Sequence, residues 1–67
     1  MNGYKLSDVR HETKDFYVID VGRKGYEVYR TGITHSTRVA SIGLGATLGL
    51  PRAIAECERR QNALDNA

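Results

Sequence analysis

The chain has 67 residues, of which 40% are hydrophobic and 27% charged, and its formal net charge is +2. This composition excludes an intrinsically disordered chain, and the length predicts one small domain spanning residues 1–67. The mildly basic balance argues against a strong nucleic-acid binder and against an acidic mimic of DNA.

The N-terminal segment, residues 1–14, is predicted to be an extended arm that packs on the edge of a sheet. It contains no apolar stretch, so we expect no secretory signal. No apolar run in the chain approaches the roughly 18 residues that a membrane span needs, so we expect no membrane association. The single Cys57 excludes an intrachain disulfide and is typical of a reducing, cytoplasmic compartment.

Residues 16–42 are predicted to form a three-stranded antiparallel sheet, because β-branched and aromatic residues are enriched between glycine-containing turns. The predicted strands cover residues 16–21, 26–30 and 33–42. The turns between them contain Gly22, Gly25 and Gly32, which tolerate the backbone conformations that tight turns require.

Alternation along these strands sorts their side chains into two faces. A pairing of Val21 with Tyr26 gives a core face of Tyr17, Ile19, Val21, Tyr26, Val28, Ile33 and Val39. The outer face then carries Phe16, Val18, Asp20, Glu27, Tyr29, Thr34, Ser36 and Arg38. Because exposed aromatic patches usually mark interfaces, Phe16, Tyr29 and Arg38 are candidates for partner binding. Coverage of these side chains by the N-terminal arm or by a second copy of the chain is the alternative.

A C-terminal helix is predicted over residues 51–64. Pro51 suits the first helical position, and good helix formers follow it. An apolar stripe would cover the core face of the sheet, and it consists of Leu50, Ile54, Cys57 and Leu64. Gln61 also falls on this stripe, so the end of the helix is predicted either to lift off the sheet or to meet a partner. The fold class is therefore α+β, a three-stranded antiparallel sheet packed against one C-terminal helix (β-β-β-α) with an N-terminal arm.

The segment between sheet and helix, residues 43–50, is rich in glycine and leucine. Its G-x-G-x-x-x-G spacing lacks the Lys-Ser/Thr ending of a phosphate-binding loop, and the chain is too short for a parallel βαβ fold. Leu44 and Leu48 are predicted either to cap the core or to belong to a flexible apolar loop that orders on a partner.

No combination of residues predicts catalysis or metal binding. The spacing of His11, His35 and Cys57 fits no zinc motif. His35 and Ser36 are adjacent on the predicted third strand and point to opposite faces, which excludes a catalytic triad with Asp20. His35 is expected to be partly buried and Cys57 to be a small core residue. We therefore expect no enzymatic activity, no cofactor and no metal.

The sequence YEVYRTGITHSTRVASIG followed by GLPRAIAECERR resembles the compact hairpin-then-helix proteins of phages and plasmids, some of which are type I anti-CRISPR proteins. This resemblance implies a non-enzymatic inhibitor in the host cytoplasm that occupies a protein surface of a CRISPR effector complex. No functional residue is carried over, because that family is defined by function and not by a motif. The partner-binding residues expected from this sequence are Phe16, Tyr29, Arg30, Arg38, Leu44 and Leu48.

Two alternatives belong to other classes of protein. The β-β-β-α order over roughly residues 16–64 also resembles sheet-reading DNA-binding domains such as integrase arm-type modules. This resemblance implies a DNA-binding regulator of a mobile element that uses the outer sheet face. A homodimeric structural or assembly protein is the other alternative, because chains of this length often gain stability by pairing.

Overall fold

The computed structural model describes residues 8–43 and 46–67, without the side chains of Ala46 and Thr47. Four antiparallel strands follow one another in chain order across one sheet, and a single helix follows them. The elements are β1 (Val9–Glu12), β2 (Phe16–Asp20), β3 (Tyr26–Arg30), β4 (Thr37–Ile42) and α1 (Ala46–Asp65). The predicted α+β class with a C-terminal helix is confirmed, but the prediction of three strands is wrong.

The additional strand, β1, occupies part of the predicted N-terminal arm. Val9 pairs with Ile19 and His11 pairs with Val18, and a bulge lies between the two pairs. Arg10, the residue at the bulge, donates to Oδ2 of Asp20 at 3.2 Å. The short, polar sequence of β1 has little β-propensity of its own. The segment is therefore a strand because it pairs with β2. The rest of the arm prediction, over residues 1–7, lies outside the described residues.

The hairpin between β2 and β3 is one residue out of the predicted register. Asp20 pairs with Tyr26, because Val21 leaves the ladder and its N–H bonds to the Gly25 carbonyl at 3.0 Å. Gly22–Lys24 form a single 3-10 turn inside this loop, and Gly22 and Gly25 both have positive φ. A shift of one residue moves every β2 side chain to the opposite face of the sheet.

The hydrophobic core lies between the inner face of the sheet and α1. It consists of Phe16, Val18, Tyr26, Val28, Ala53 and Cys57. The predicted face of Tyr17, Ile19 and Val21 is therefore wrong, although Ile19 is fully buried as expected. The placement of Phe16 and Val18 on the outer face is also wrong. The prediction that Cys57 is a core residue is confirmed, since it has no solvent exposure.

The final strand is shorter than predicted. Residues 31–36 form a loop without regular secondary structure. A hydrogen bond from the Thr31 N–H to the Asp15 carbonyl (2.8 Å) holds this loop beside the β1–β2 turn. This loop folds tightly, because a Cβ at Gly32 would lie only 2.0 Å from the His35 carbonyl oxygen. The predicted strand positions of Ile33, Thr34 and Ser36 are therefore wrong, and His35 is exposed rather than partly buried. A bulge at Val39 lets that residue and Ala40 both pack on the core.

Helix α1 begins at Ala46, before the predicted start at Pro51. Pro51 lies in the second turn, where its missing N–H removes one bond, to the carbonyl of Thr47. The predicted 43–50 loop is therefore helical from Ala46 onward, while Leu44 lies outside the described residues. Among the described residues, no helix has both the length and the apolar character needed to cross a membrane.

Gln61 fixes the C-terminal half of α1 to the β1–β2 turn. Its Oε1 accepts hydrogen bonds from Oγ1 of Thr13 (2.9 Å) and from the backbone N–H of Asp15 (2.6 Å). Its Nε2 donates to Oδ2 of Asp15 (2.9 Å) and Oδ1 of Asp65 (3.1 Å). Because Thr13 and Asp15 belong to the β1–β2 turn, these bonds hold the helix end on the sheet, and the predicted lift-off is wrong.

Candidate partner-binding surface

The side chains at the centre of the outer sheet face are buried from solvent. Ile19 has no solvent exposure, and Glu27 and Tyr29 keep 8% and 9% of theirs. An aromatic patch must be accessible before it can contact a partner, and this one is not. Of the two alternatives that the sequence left open for this face, exposed or covered, the structure shows Tyr29 covered. The placement of Phe16 on this face is wrong, because Phe16 belongs to the core on the other face.

The buried polar groups of the outer face are bonded to one another. Tyr29 donates its hydroxyl to Oε1 of Glu27 at 2.9 Å, and Nη1 of Arg38 donates to Oε2 of the same carboxylate at 3.1 Å. The rings of Tyr17 and Tyr29 stack with centroids 5.6 Å apart and planes 11° apart. Contacts within the fold therefore account for the burial of Tyr29. The guanidinium group of Arg38 is bound to Glu27, although the Arg38 side chain is 59% exposed.

The exposed members of the predicted set lie at opposite ends of the molecule. Arg30 ends β3 and Arg38 lies near the start of β4, so both flank the β3–β4 loop. Leu48, which is 68% exposed, lies in the first turn of α1, beyond the other end of β4. The six predicted residues therefore do not form one surface. Leu44 cannot be placed, because it lies outside the described residues.

The β3–β4 loop presents the most exposed large apolar side chain of the described residues. Ile33 is 104% exposed, and Thr31, Gly32, Thr34 and His35 around it are also exposed. Sequence reasoning missed this residue because it treated the isoleucine as part of a strand. The polar and glycine neighbours of Ile33 were the available signal for a loop.

The loop continues into an edge strand of basic and apolar character. We call residues 30–42, from the end of β3 through β4, the edge surface. No side chain of β4 is fully buried, and within the described residues β4 pairs with β3 alone. The sequence contains no aspartate or glutamate between Glu27 and Glu56, so the edge surface carries arginine without any acidic residue.

A cleft between the β1–β2 turn and the C-terminal half of α1 has no chemistry comparable to an active site. It has a volume of about 220 Å³ and is lined by Thr13, Glu58, Gln61 and Asn62. Nε2 of His11 lies 3.1 Å from Oε2 of Glu58, but the two groups are not aligned for a hydrogen bond. Within residues 8–43 and 46–67, no group of three or more potential metal ligands occurs.

The titratable groups of α1 have structural roles. Burial is the main cause that raises the pKa of the Cys57 thiol, so it stays protonated near neutral pH. The hydrogen bond from Arg59 is the main cause that lowers the pKa of Glu56, and Arg60 acts in the same direction against the effect of burial. Glu56 is therefore the acceptor of an ion-pair cluster on the outside of the helix.

Two large apolar side chains of the described residues are exposed, Ile33 on the edge surface and Leu48 on α1, and Ile33 is the more exposed of the two. Comparison with known proteins gives no further guidance, since no family model, curated protein or solved structure matches the chain significantly. The functional proposal below therefore depends on the residues of this surface and their geometry.

Proposed function

We propose that this chain is a non-enzymatic binding protein that inhibits a host defence nuclease complex by occluding a protein surface, as type I anti-CRISPR proteins do. The observation that carries the proposal is the complete exposure of Ile33 between Arg30 and Arg38. The resemblance of the hairpin-then-helix sequence to small phage proteins supports the class of partner.

Ile33 keeps its full apolar surface available for burial by a partner. Full burial of an isoleucine side chain is worth about 1.5–3 kcal/mol, and none of that contributes to folding here. Interfaces gain most of their affinity from a few apolar or aromatic anchors that enter pockets, with a polar rim around them. Ile33 has the exposure of such an anchor, and Arg30 and Arg38, which flank the loop along the chain, supply the charge for a rim.

The positive charge of the edge surface indicates a partner surface of negative charge. Arginine makes two-pronged hydrogen bonds to carboxylates, and opposite charges across an interface raise the association rate. Because the edge surface has no acidic residue of its own, it suits a partner surface on which an apolar pocket is surrounded by carboxylates.

The proposal is tested with the variants Ile33→Ser and Arg30→Glu. Purified protein is assayed for binding to a Cascade-type effector complex and for protection of a phage from interference. We expect each variant to lose about tenfold or more in affinity, because an anchor or its charged rim is removed. Leu48→Ser is the matched control, since it removes an exposed leucine at the opposite end of the molecule.

The side chains of Ile33 and Leu48 are exposed and contribute little to folding. We therefore expect the variants Ile33→Ser, Arg30→Glu and Leu48→Ser to be equally stable, so that a change in affinity reports on binding. Unchanged binding by Ile33→Ser and Arg30→Glu would contradict the proposed surface. Failure of the unmodified protein to bind any effector complex or to protect any phage would contradict the proposed function as a whole.

A DNA-binding regulator that reads bases with the outer sheet face receives less support. Such a domain must place exposed side chains of the sheet in a groove, whereas Ile19, Glu27 and Tyr29 are buried. Titration with duplex DNA at two salt concentrations discriminates between the candidates, since phosphate contacts make affinity fall steeply as salt rises.

A further inference from the structure

We infer that β4 binds an extended, acidic segment of the protein partner by strand addition. The inference depends on the proposed function, because it names the part of the partner that the edge surface contacts. In strand addition, main-chain hydrogen bonds supply affinity and alternate side chains supply specificity.

The first observation is that β4 is an edge strand of useful length. It runs over Thr37–Ile42 and pairs with β3 alone among the described residues. An edge strand presents a row of N–H and C=O groups that can pair with another chain. The opposite edge is shorter, since β1 covers only Val9–Glu12.

The second observation is that Arg38, the charged residue of β4, is not positioned to prevent pairing with another chain. Charged side chains on edge strands normally discourage pairing with other chains. Arg38 instead reaches across the sheet, where Nη1 contacts Oε2 of the buried Glu27 at 3.1 Å. The bulge at Val39 still interrupts the edge, so we expect a short added strand and modest affinity.

The third observation is the sign of the charge, which decides between a second copy and a different partner. A second copy paired through β4 would bring one acid-free, arginine-containing surface against another. A segment with carboxylates would instead find Arg30 at the end of β3, beside the start of β4. Ile33, in the loop before β4, offers an apolar contact at the same end.

The test uses a synthetic octapeptide of alternating valine and glutamate, with a valine–lysine octapeptide as control. Amide hydrogen exchange of the full chain is followed by NMR at increasing peptide concentration. We expect the valine–glutamate peptide to slow exchange at alternate residues of Thr37–Ile42 only, because half of the amides of an edge strand already bond to β3. The lysine peptide should leave exchange unchanged.

Variants of two exposed arginines complete the test. Arg30→Glu should weaken binding of the glutamate peptide about tenfold and create binding of the lysine peptide, because the sign of the complementary charge is reversed. Arg52→Glu is the matched control, since it makes the same charge change on α1 and should leave both affinities within about twofold.

Three results would overturn the inference. They are equal binding of both peptides, binding of the glutamate peptide without slower exchange in β4, and slower exchange of β4 in the peptide-free protein as its concentration rises. The last result would assign the edge to a second copy. The proposed function is tested separately: if Ile33→Ser abolishes binding to the effector complex while β4 amides in the unmodified complex still exchange fast, only strand addition fails.

Discussion

The two faces of the sheet are both buried, but by different chemistry. The inner face closes against α1 with aliphatic and aromatic side chains, and the polar Gln61 lies at its end. The outer face buries a carboxylate, Glu27, which a tyrosine hydroxyl and an arginine satisfy. Apolar packing on the inner face is not directional, whereas the hydrogen bond from Arg38 to Glu27 on the outer face joins one position of β4 to one position of β3.

The inner face contributes mainly to the stability of the fold, and the outer face mainly to its unique strand register. Apolar burial is not directional, so the inner face supplies most of the free energy of folding. A buried hydrogen-bonded charge contributes less net free energy but is costly when it is mispaired. We therefore expect substitutions on the inner face to have larger effects than those on the outer face, in the order given below.

The largest expected effect is that of Val28→Ala at the centre of the inner face. Val28 has no solvent exposure and lies in the core with Val18 and Cys57. Loss of buried methyl groups together with the cavity left behind should lower the free energy of unfolding by about 2–3 kcal/mol. Urea denaturation measures the change. Ile33→Ala is the control and should change stability by less than about 0.5 kcal/mol; equal effects would contradict the assignment of the core.

The next effect is that of Gln61→Ala, which removes the polar contact between α1 and the β1–β2 turn. Four hydrogen bonds are lost, but the adjoining cleft lets water replace part of them. We expect a loss of about 2 kcal/mol in the free energy of unfolding. Hydrogen exchange should accelerate around Thr13 and in the last turns of α1. The neighbouring exposed residue gives the control, Asn62→Ala, for which we expect little change.

A smaller effect is expected for Glu27→Gln on the outer face. The amide keeps the shape of the side chain but removes the charge that Arg38 contacts. Because Arg38 is largely exposed and can rehydrate, we expect a loss of only about 1 kcal/mol in the free energy of unfolding. Thermal denaturation measures it, with Glu12→Gln on the exposed side of β1 as control. A loss larger than that of Val28→Ala would reverse the comparison of the two faces.

The smallest effect is the pH dependence due to Glu56. Its pKa in the folded state is lowered from the ordinary 4.5 by Arg59, so its stabilising contribution is complete above that value and is lost as the pH falls through the folded-state pKa. The difference in stability between the unmodified protein and Glu56→Gln should therefore shrink below pH 4.5. Denaturation at a series of pH values measures it, and a difference that stays constant would contradict the ion-pair cluster.

The sequence predicts the class of the fold because β3 and α1 carry clear patterns. Tyr26 and Val28 alternate as a strand facing the core should, and the apolar stripe of α1 correctly contains Cys57. The register of β2 was not predictable, since it depends on whether Val21 belongs to the strand or to the loop. One backbone bond, from Val21 to Gly25, decides this, and no side-chain pattern reports it.

Other errors arise where tertiary contacts override local propensity. The segment from Ile33 to Ile42 has the β-branched residues of a long strand, but the tight loop at Gly32 leaves its first part unpaired. Pro51 resembles a helix start, although the helix tolerates it in the second turn. The exposed Ile33 was therefore missed as a candidate, while Arg30 and Arg38 on either side of it in the chain were already candidates.

If Ile33 binds a partner as proposed, a change at Gly32 would alter specificity without changing Ile33 itself. A methyl group at this position would collide with the His35 carbonyl, so any side chain there would force the loop into another shape. Ile33 would then face a different direction, while Arg30 would stay in place because it pairs with Phe16 and Thr37 in the sheet. Selection for a new partner could act on this position first, and in a binder engineered from this scaffold Gly32 would be the position to vary.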